Sequence, residues 1–196
     1  MDHPLQCRCG TLRGVVSHPE KAIRGECYCK DCQAFARFLK TDGILDEMGG
    51  TDVVATHPSH VSFTHGLDAL ACMSLSPKGL LRWYASCCNT PIGNTPRNFK
   101  VSHVGLIHTC LENPARTLES SFGPVRMRAG TKNTNGRAKS MPFGTVVSIL
   151  RIASSLLRAR VSGRYKATPF FDPATGTPVA SPKVLTRDER ERATNA

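Results

Sequence analysis

The sequence predicts a mainly β protein of small, zinc-stapled antiparallel sheets, followed by a C-terminal amphipathic helix. Three observations support this fold class. Seven of the nine cysteines fall into three clusters, short β-rich runs alternate with turn formers as far as residue 110, and one apolar stretch near residue 150 has helical spacing. A chain of 196 residues, 40% hydrophobic and 21% charged, is long enough for one substantial core.

The strands are predicted from short runs of β-branched, aromatic and aliphatic residues that turn formers interrupt. Such runs, joined by short connections, are typical of antiparallel sheets. The turn formers include Pro58, Gly66 and Pro77, and residues 43–50 are expected to form a turn. We predict strands over 11–17, 22–26, 53–56, 61–64, 69–75 and 80–85, a turn-like knuckle over 87–93, and a further apolar segment over 101–110.

A helix is predicted immediately after the central cysteine cluster. Phe35, Phe38 and Leu39 recur at helical spacing, and Asp31 is the expected N-cap. The cluster therefore lies at a strand-to-helix transition, where backbone N–H groups are available to thiolate sulfurs.

That central cluster is a C-x-C-x-x-C run formed by Cys27, Cys29 and Cys32. Alternate residues of an extended segment and the two ends of a tight turn converge on one point, so one zinc ion can collect all three thiolates. The other interpretations are a purely structural zinc or three reduced thiols. Three protein ligands leave a fourth position for water or an exogenous thiolate, unless a nearby histidine or carboxylate closes it.

A second metal site is predicted from cysteines that lie some eighty residues apart. Cys7 and Cys9 form a C-x-C pair, and Cys87 and Cys88 follow an apolar, aromatic run. A closed structural zinc is the simplest interpretation, since its binding would add folding energy. Side chains of adjacent residues point apart along an extended backbone, so we favour Cys88 as a ligand and leave Cys87 open. The cofactor is then one or two zinc ions per chain, with Cys72 and Cys110 interpreted as buried core residues.

The net charge of +11 is concentrated in the last third of the chain. Residues 1–125 carry 12 Lys and Arg against 11 Asp and Glu, whereas residues 126–196 carry 14 against 4. We therefore divide the chain into a zinc-binding β domain over 1–123 and a basic extension over 124–196. The excess calls for an anionic partner or an acidic surface elsewhere.

Within the extension, residues 124–141 are expected to form a loop and residues from about 142 to 160 a helix with a wide apolar face. We expect that face to pack on the domain or on a second copy in a homodimer. Arg151 interrupts it, so a transmembrane segment is not predicted. Aromatic residues do not interleave with the basic ones, so nucleic acid is not favoured. The N-terminus has no secretory pattern, so a cytoplasmic protein with reduced thiols is expected.

The order of these motifs resembles the family of glutathione-dependent formaldehyde-activating enzymes and the related centromere protein V. The resemblance covers roughly residues 5–112 and rests on the three cysteine clusters, which are specific in combination. The motifs are C-x-C-G at 7–10, C-x-C-x-x-C running into a helix, and Arg82, Trp83, Tyr84 leading to the late cysteines. The family resemblance implies a β-tent, a tent-like arrangement of small antiparallel sheets around zinc.

In that family the C-x-C pair and a late C-x-x-C pair hold a structural zinc, and the C-x-C-x-x-C run holds a second zinc near a thiol substrate. This chain has Ala85 where the first late cysteine is expected and Asn89 where a glycine usually follows. Cys87 is then the candidate substitute. The resemblance implies structural ligands at Cys7, Cys9 and Cys88 and a reactive zinc at Cys27, Cys29 and Cys32.

The activity implied by the resemblance is that of a carbon–sulfur lyase, which exchanges glutathione and formaldehyde with S-hydroxymethylglutathione. Arg24, Lys30 and Arg37 flank the C-x-C-x-x-C run and are predicted to meet the carboxylates of a small thiol such as glutathione. The alternative is a non-catalytic, zinc-stabilised binding module that uses its basic C-terminal region for an anionic or protein partner.

Overall fold

The computed structural model describes residues 1–136 and 138–195 of the chain, and it is mostly β, as the sequence predicts. The helices are α1 (Lys30–Leu39), α2 (Leu118–Phe122), α3 (Pro142–Val161) and α4 (Arg187–Asn195). The strands are β1 (His3–Gln6), β2 (Arg13–Val16), β3 (Ile23–Cys27), β4 (Thr51–Thr56), β5 (Val61–His65), β6 (Leu70–Ser74), β7 (Leu81–Ala85), β8 (Thr90–Thr95), β9 (Val104–Ile107), β10 (Met127–Ala129) and β11 (Lys183–Val184).

The strands form a small sheet of order β1-β2-β5 and a larger one of order β10-β3-β4-β9-β8-β7-β6-β11. Nearly all neighbours are antiparallel, as short connections favour. The exceptions are the two edge strands of the larger sheet, since β10 pairs with β3 and β11 with β6 in parallel. Both edge strands come from the C-terminal third, so this segment completes the sheet.

The main core is centred on Trp83, which is fully buried and donates through its indole N–H to Thr95 Oγ1 at 2.9 Å. The aromatic rings of Phe170 and Phe171 pack against Trp83, with the Phe170 centroid 5.1 Å away. Residues from both predicted segments, 1–123 and 124–196, therefore share one core. Burying two phenylalanines here contributes about 3–6 kcal/mol by transfer alone.

Helix α1 begins differently from the prediction. The N-cap is Cys29, not Asp31, because Cys29 has an extended backbone and its sulfur accepts from the Cys32 N–H. At its other end α1 contacts α4, where Arg37 donates to the carbonyls of Ala193 and Thr194 at 3.3 and 3.2 Å.

Two C-terminal stretches differ from their predictions. Residues 124–141, expected to be a loop, contain β10. The strand was not predicted, because three residues are too few to show a periodic pattern. Helix α3 lies where expected, but Phe143 and Leu150 are 83% and 64% exposed, so its apolar face is not packed on the domain. Homodimer formation through that face stays a prediction. Within the described residues, the search for a helix long and apolar enough to cross a membrane finds none.

Candidate metal centres and their cavity

Cys7, Cys9, Cys87 and Cys88, hereafter the four-thiol cluster, come together at one point. The sulfur of Cys7 lies 3.5 Å from that of Cys9 and 3.8 Å from that of Cys87, and the Cys9 and Cys87 sulfurs are 3.3 Å apart. The turn after β1 presents the first pair, and the turn between β7 and β8 presents the second. The cluster therefore joins segments that are distant in sequence.

The backbone between β7 and β8 brings the two adjacent cysteines together. Residues 86–89 form a turn, in which neighbouring side chains can converge, and the Cys87 and Cys88 sulfurs lie 3.8 Å apart. Asn89 has φ of 54°, the left-handed conformation that asparagine tolerates better than most residues. Cys87 is thus close enough to share a metal ion with the other three cysteines, and Asn89 completes the turn in a left-handed conformation.

Cys27, Cys29 and Cys32, hereafter the three-thiol cluster, lie at the end of β3 and the start of α1. The Cys27 sulfur is 3.3 Å from that of Cys29 and 3.5 Å from that of Cys32. In the described residues, no fourth Cys, His, Asp or Glu side chain joins this group. The strand-to-helix transition predicted from the sequence is therefore what brings the sulfurs together.

The charge of the three-thiol cluster is concentrated on Cys29. Hydrogen bonds from the Cys27 and Cys32 thiols, together with the Cys32 N–H and the nearby charge of Arg82, hold the pKa of Cys29 far below its usual range. The same interactions and burial raise the pKa of Cys27 and of Cys32. Without metal, the negative charge therefore resides on the Cys29 sulfur, where it attracts a soft cation.

Both clusters fit a tetrahedral zinc ion. Sulfurs bound at about 2.3 Å to such an ion lie about 3.8 Å apart, close to the separations found in each cluster. Four thiols would close the coordination shell, whereas three leave one position for another ligand. Two cysteine clusters could thus bind metal, and thiolate chemistry favours zinc or another soft ion.

The C-terminal segment surrounds the three-thiol cluster. The Tyr28 N–H donates to the Ala129 carbonyl at 2.8 Å, and the Gln33 amide donates to the carbonyls of Tyr28 and Asn133 at 3.2 and 3.0 Å. Gly130 has φ of 69°, and a Cβ there would approach the Cys29 nitrogen to 2.7 Å. The segment predicted to be a loop is therefore part of the site.

A charged pair fixes the same junction. Arg128 on β10 lies 2.6 Å from Glu26 on β3, and both side chains are about four-fifths buried. Glu26 also accepts from the Tyr28 hydroxyl at 2.9 Å, and burial together with this contact raises the pKa of Tyr28 to about 12. Tyr28 is therefore a structural donor at neutral pH, and β10 is held by a charge-assisted hydrogen bond.

The three-thiol cluster opens into a cavity of about 280 Å³, hereafter the thiol cavity. Its wall is largely apolar, as is usual for small-molecule sites. The three cysteines form part of the lining, and the other polar lining residues are Glu26, Asp31, Arg82, Asn94, Thr95 and His103. The apolar part of the lining includes Ile23, Val53, Ala55, Leu80, Pro96, Met127 and Ile152.

Arg82 is the principal residue that site prediction from the sequence missed. It is only 2% exposed, donates to Asn94 Oδ1 at 3.0 Å, and lies with its guanidinium 5.4 Å from the Phe35 ring centroid. Its carboxylate partner, Asp31, is 3.8 Å away and largely exposed. A buried cation is stabilised by nearby negative charge, and the charge of Arg82 is in turn one of the causes that lower the pKa of Cys29. The R-W-Y run contained the signal, but its strand alternation did not show which way Arg82 faces.

His103 was also missed, since the sequence shows only a histidine that interrupts an apolar segment. It lines the thiol cavity, and burial lowers its pKa below the usual range. At neutral pH His103 is therefore an uncharged imidazole, which can accept a proton.

The three predicted substrate-binding residues lie elsewhere than on the thiol cavity. Arg24 pairs with Asp52 at 2.7 Å, Arg37 holds α4, and Lys30 is exposed at the start of α1. Their role in binding a thiol stays a prediction. Cys72 and Cys110 are 3% and 0% exposed and belong to neither cluster, as expected of core residues.

Comparisons with known proteins identify a family. The model of a family of unknown function, DUF6151, matches residues 2–182. The curated proteins contain no match. A solved structure of a Rhodobacter sphaeroides protein is similar at 17% sequence identity and a TM-score of 0.42, over 64% of this chain and 98% of that one. Since the family model spans both the cysteine clusters and the basic segment, the chain belongs to the DUF6151 family.

Proposed function

We propose that this protein is a zinc-dependent carbon–sulfur lyase that acts on the adduct of a small thiol, such as glutathione, with an aldehyde, such as formaldehyde. One observation carries the proposal: the three-thiol cluster lacks a fourth protein ligand among the described residues and faces a 280 Å³ cavity. A closed structural site would need neither feature. The motif order that resembles the formaldehyde-activating enzymes supports the same substrate class.

The three cysteines would hold the zinc, which when bound supplies a Lewis acid that keeps an exogenous thiol ionised at neutral pH. Arg82 then balances part of the negative charge of the thiolates, and its hydrogen bond to Asn94 fixes its position. Holding the sulfur and the carbon of the adduct together in the thiol cavity contributes through proximity.

Cleavage of the adduct also requires a proton transfer. As the carbon–sulfur bond breaks, its electron pair goes to sulfur and the hydroxyl oxygen of the adduct loses its proton to become a carbonyl. His103, uncharged and on the wall of the same cavity, is our candidate acceptor for that proton. The reaction needs thiols that stay reduced, so we place the protein in the cytoplasm.

The decisive experiment combines metal content with thiol titration. We would measure zinc in protein purified without chelators for wild type, Cys29→Ser and the control Cys72→Ala, and titrate each with glutathione by calorimetry. We expect about two zinc ions per chain and glutathione binding in wild type and control. Cys29→Ser should lose one zinc and the binding.

An activity assay completes the test. Wild type and Cys72→Ala should accelerate release of formaldehyde from S-hydroxymethylglutathione, and Cys29→Ser should not. Zinc that is held tightly and is indifferent to glutathione would refute the lyase and favour the alternative, a non-catalytic zinc-stabilised binding module.

A further inference from the structure

A second cavity, of about 470 Å³, lies between α3 and the end of the larger sheet. This basic cavity is formed by the turn before β3, the β4–β5 connection, the segment before β9, and one side of α3. Arg151 and Arg158 face it from α3, where a spacing of seven residues places them two turns apart on one side of the helix. Its charged and polar lining comprises Glu20, Lys21, Thr56, His57, His60, Ser102, His103, Arg126, Arg151, Ser154, Ser155, Arg158 and Arg164.

The lining has a large excess of positive charge. It contains four arginines and one lysine but a single carboxylate, Glu20, so the net charge is +4 with neutral histidines. Glu20 itself contacts His18 at 3.5 Å. In the part of the chain that the structure describes, no carboxylate lies within 4.0 Å of a charged nitrogen of these five cations. Five cations around one concave space, with a single carboxylate in the lining and none of the five paired with it within 4.0 Å, create a strong attraction for an anion.

The histidines of the basic cavity contribute hydrogen-bonding groups and not charge. Burial, together with the charge of Arg164, lowers the pKa of His57 to about 4. Its Nδ1 accepts from the Ser59 N–H at 3.1 Å, and its Nε2 lies 2.9 Å from Ser102 Oγ. A neutral imidazole whose two nitrogens both have partners is held in one orientation, so His57 is a fixed, uncharged part of the cavity wall.

We propose that the basic cavity is a binding site for the phosphate groups of a phosphorylated small molecule. A phosphate monoester carries nearly two negative charges and three acceptor oxygens, which suit several converging cations. The arginine fork matches phosphate geometry in a bidentate manner. The volume suits a ligand with one or two phosphates. The lining has no Phe, Tyr or Trp on which a base could stack, so single-stranded nucleic acid is a poor fit.

The basic cavity and the thiol cavity share part of their walls, so one ligand could occupy both. Ile23, Ala55, His103 and Ile152 line both of them. A ligand anchored by its phosphate in the basic cavity would extend past His103 toward the three-thiol cluster. The phosphate proposal itself rests on the charges and shape of the basic cavity and not on the metal or the lyase activity.

The test is calorimetric titration of the zinc-loaded full chain with inorganic pyrophosphate. The double substitution Arg151→Gln and Arg158→Gln should weaken binding more than roughly tenfold, since hydrogen bonds between charged groups are lost. All four of these side chains are exposed, so the matched control, Arg160→Gln with Lys166→Gln, differs only in removing the same charge outside the cavity and should change affinity less than about twofold. Citrate, of similar charge, should bind more weakly than pyrophosphate.

Several outcomes would overturn the proposal. They are no binding of pyrophosphate at millimolar concentration, equal loss in both double variants, or citrate binding as tightly as pyrophosphate. Phosphatidylglycerol vesicles or duplex DNA that bind in preference to pyrophosphate would reject a soluble small molecule. Cys29→Ser should keep pyrophosphate affinity, so the phosphate site can hold even if the lyase proposal fails.

Discussion

The four-thiol and three-thiol clusters are built from the same side chain but differ in their surroundings. The four-thiol cluster joins two turns that are about eighty residues apart, next to β1 and β7, and offers a complete set of ligands. The three-thiol cluster lies within six residues of chain, has an incomplete set and opens into the thiol cavity. The four-thiol cluster thus connects distant segments of the chain, whereas the three-thiol cluster connects residues that are already close in sequence.

The two clusters also differ in the electrostatic surroundings of their most acidic cysteine. In the four-thiol cluster, hydrogen bonds from the Thr11 hydroxyl and N–H lead the interactions that lower the pKa of Cys9 to about 6, and Cys9 is exposed to solvent. In the three-thiol cluster Cys29 is half-buried, and the charge of the buried Arg82 is among the interactions that lower its pKa. A charge that is shielded from water interacts more strongly with its ligand. The ligand count and the local charge therefore both support our proposal that the four-thiol cluster is structural and the three-thiol cluster reactive.

The largest difference between the two clusters is expected in the free energy of unfolding, when each of them loses one thiol. Cys7→Ser should destabilise the protein by about 4 kcal/mol or more, because the binding energy of a structural zinc is folding energy. Cys29→Ser should cost less than about 2 kcal/mol, because its cluster links residues that are already neighbours in the chain. Urea unfolding with zinc present measures both.

Cys72→Ala is the control for the loss of a buried cysteine outside the clusters. Equal destabilisation by Cys7→Ser and Cys29→Ser would remove the division between a structural and a reactive site.

Removal of metal should occur in two separate steps. A zinc chelator should take the ion of the three-thiol cluster first, with the fold retained, because the open position lets the chelator enter before any thiolate leaves. The second ion should leave only as the protein unfolds. Released zinc and circular dichroism, followed together over time, check this order. Loss of structure with the first ion released would contradict it.

A smaller effect is expected at Arg82. Arg82→Gln keeps a donor for Asn94 but removes the charge beside the thiolates, so glutathione affinity should fall by roughly ten- to a hundredfold, the usual cost of losing such a supporting partner. Zinc in the four-thiol cluster should be unaffected. Arg24→Gln, which removes a cation paired with Asp52 instead, is the matched variant. Equal losses of glutathione affinity in the two variants would mean that Arg82 does not act through its position on the thiol cavity.

The sequence predicts the local parts of this molecule better than the parts that distant segments build. The cysteine spacing, the β-rich runs and α3 are short-range patterns, and the structure has elements close to each of them. Strand β8 was hidden in the predicted knuckle over 87–93, because Pro91 and Gly93 are typical of turns and Thr90–Thr95 lacks alternation.

The other features that were not predicted, unlike β8, depend on contacts between residues that are distant in sequence. Arg128 reaches Glu26 across 102 positions, and Phe170 reaches the core beside Trp83. Neither contact has a local signal, because a charged residue in a basic segment and an aromatic pair in a tail suit many arrangements. For the same reason the convergence of Arg82 and His103 on the thiol cavity is visible only in three dimensions.

The smallest effect in the comparison is expected at Lys30, which follows Cys29 in sequence but is exposed at the start of α1. If sequence proximity decided substrate contact, Lys30→Ala would weaken glutathione binding clearly. Because the thiol cavity is lined by Arg82 and not by Lys30, we expect a change of less than about twofold, as for an exposed charge. Calorimetric titration of Lys30→Ala and Arg82→Gln with glutathione decides whether sequence proximity or position on the cavity wall determines substrate contact. A larger loss in Lys30→Ala would place the carboxylates of the thiol outside the cavity and restore the role predicted from the sequence.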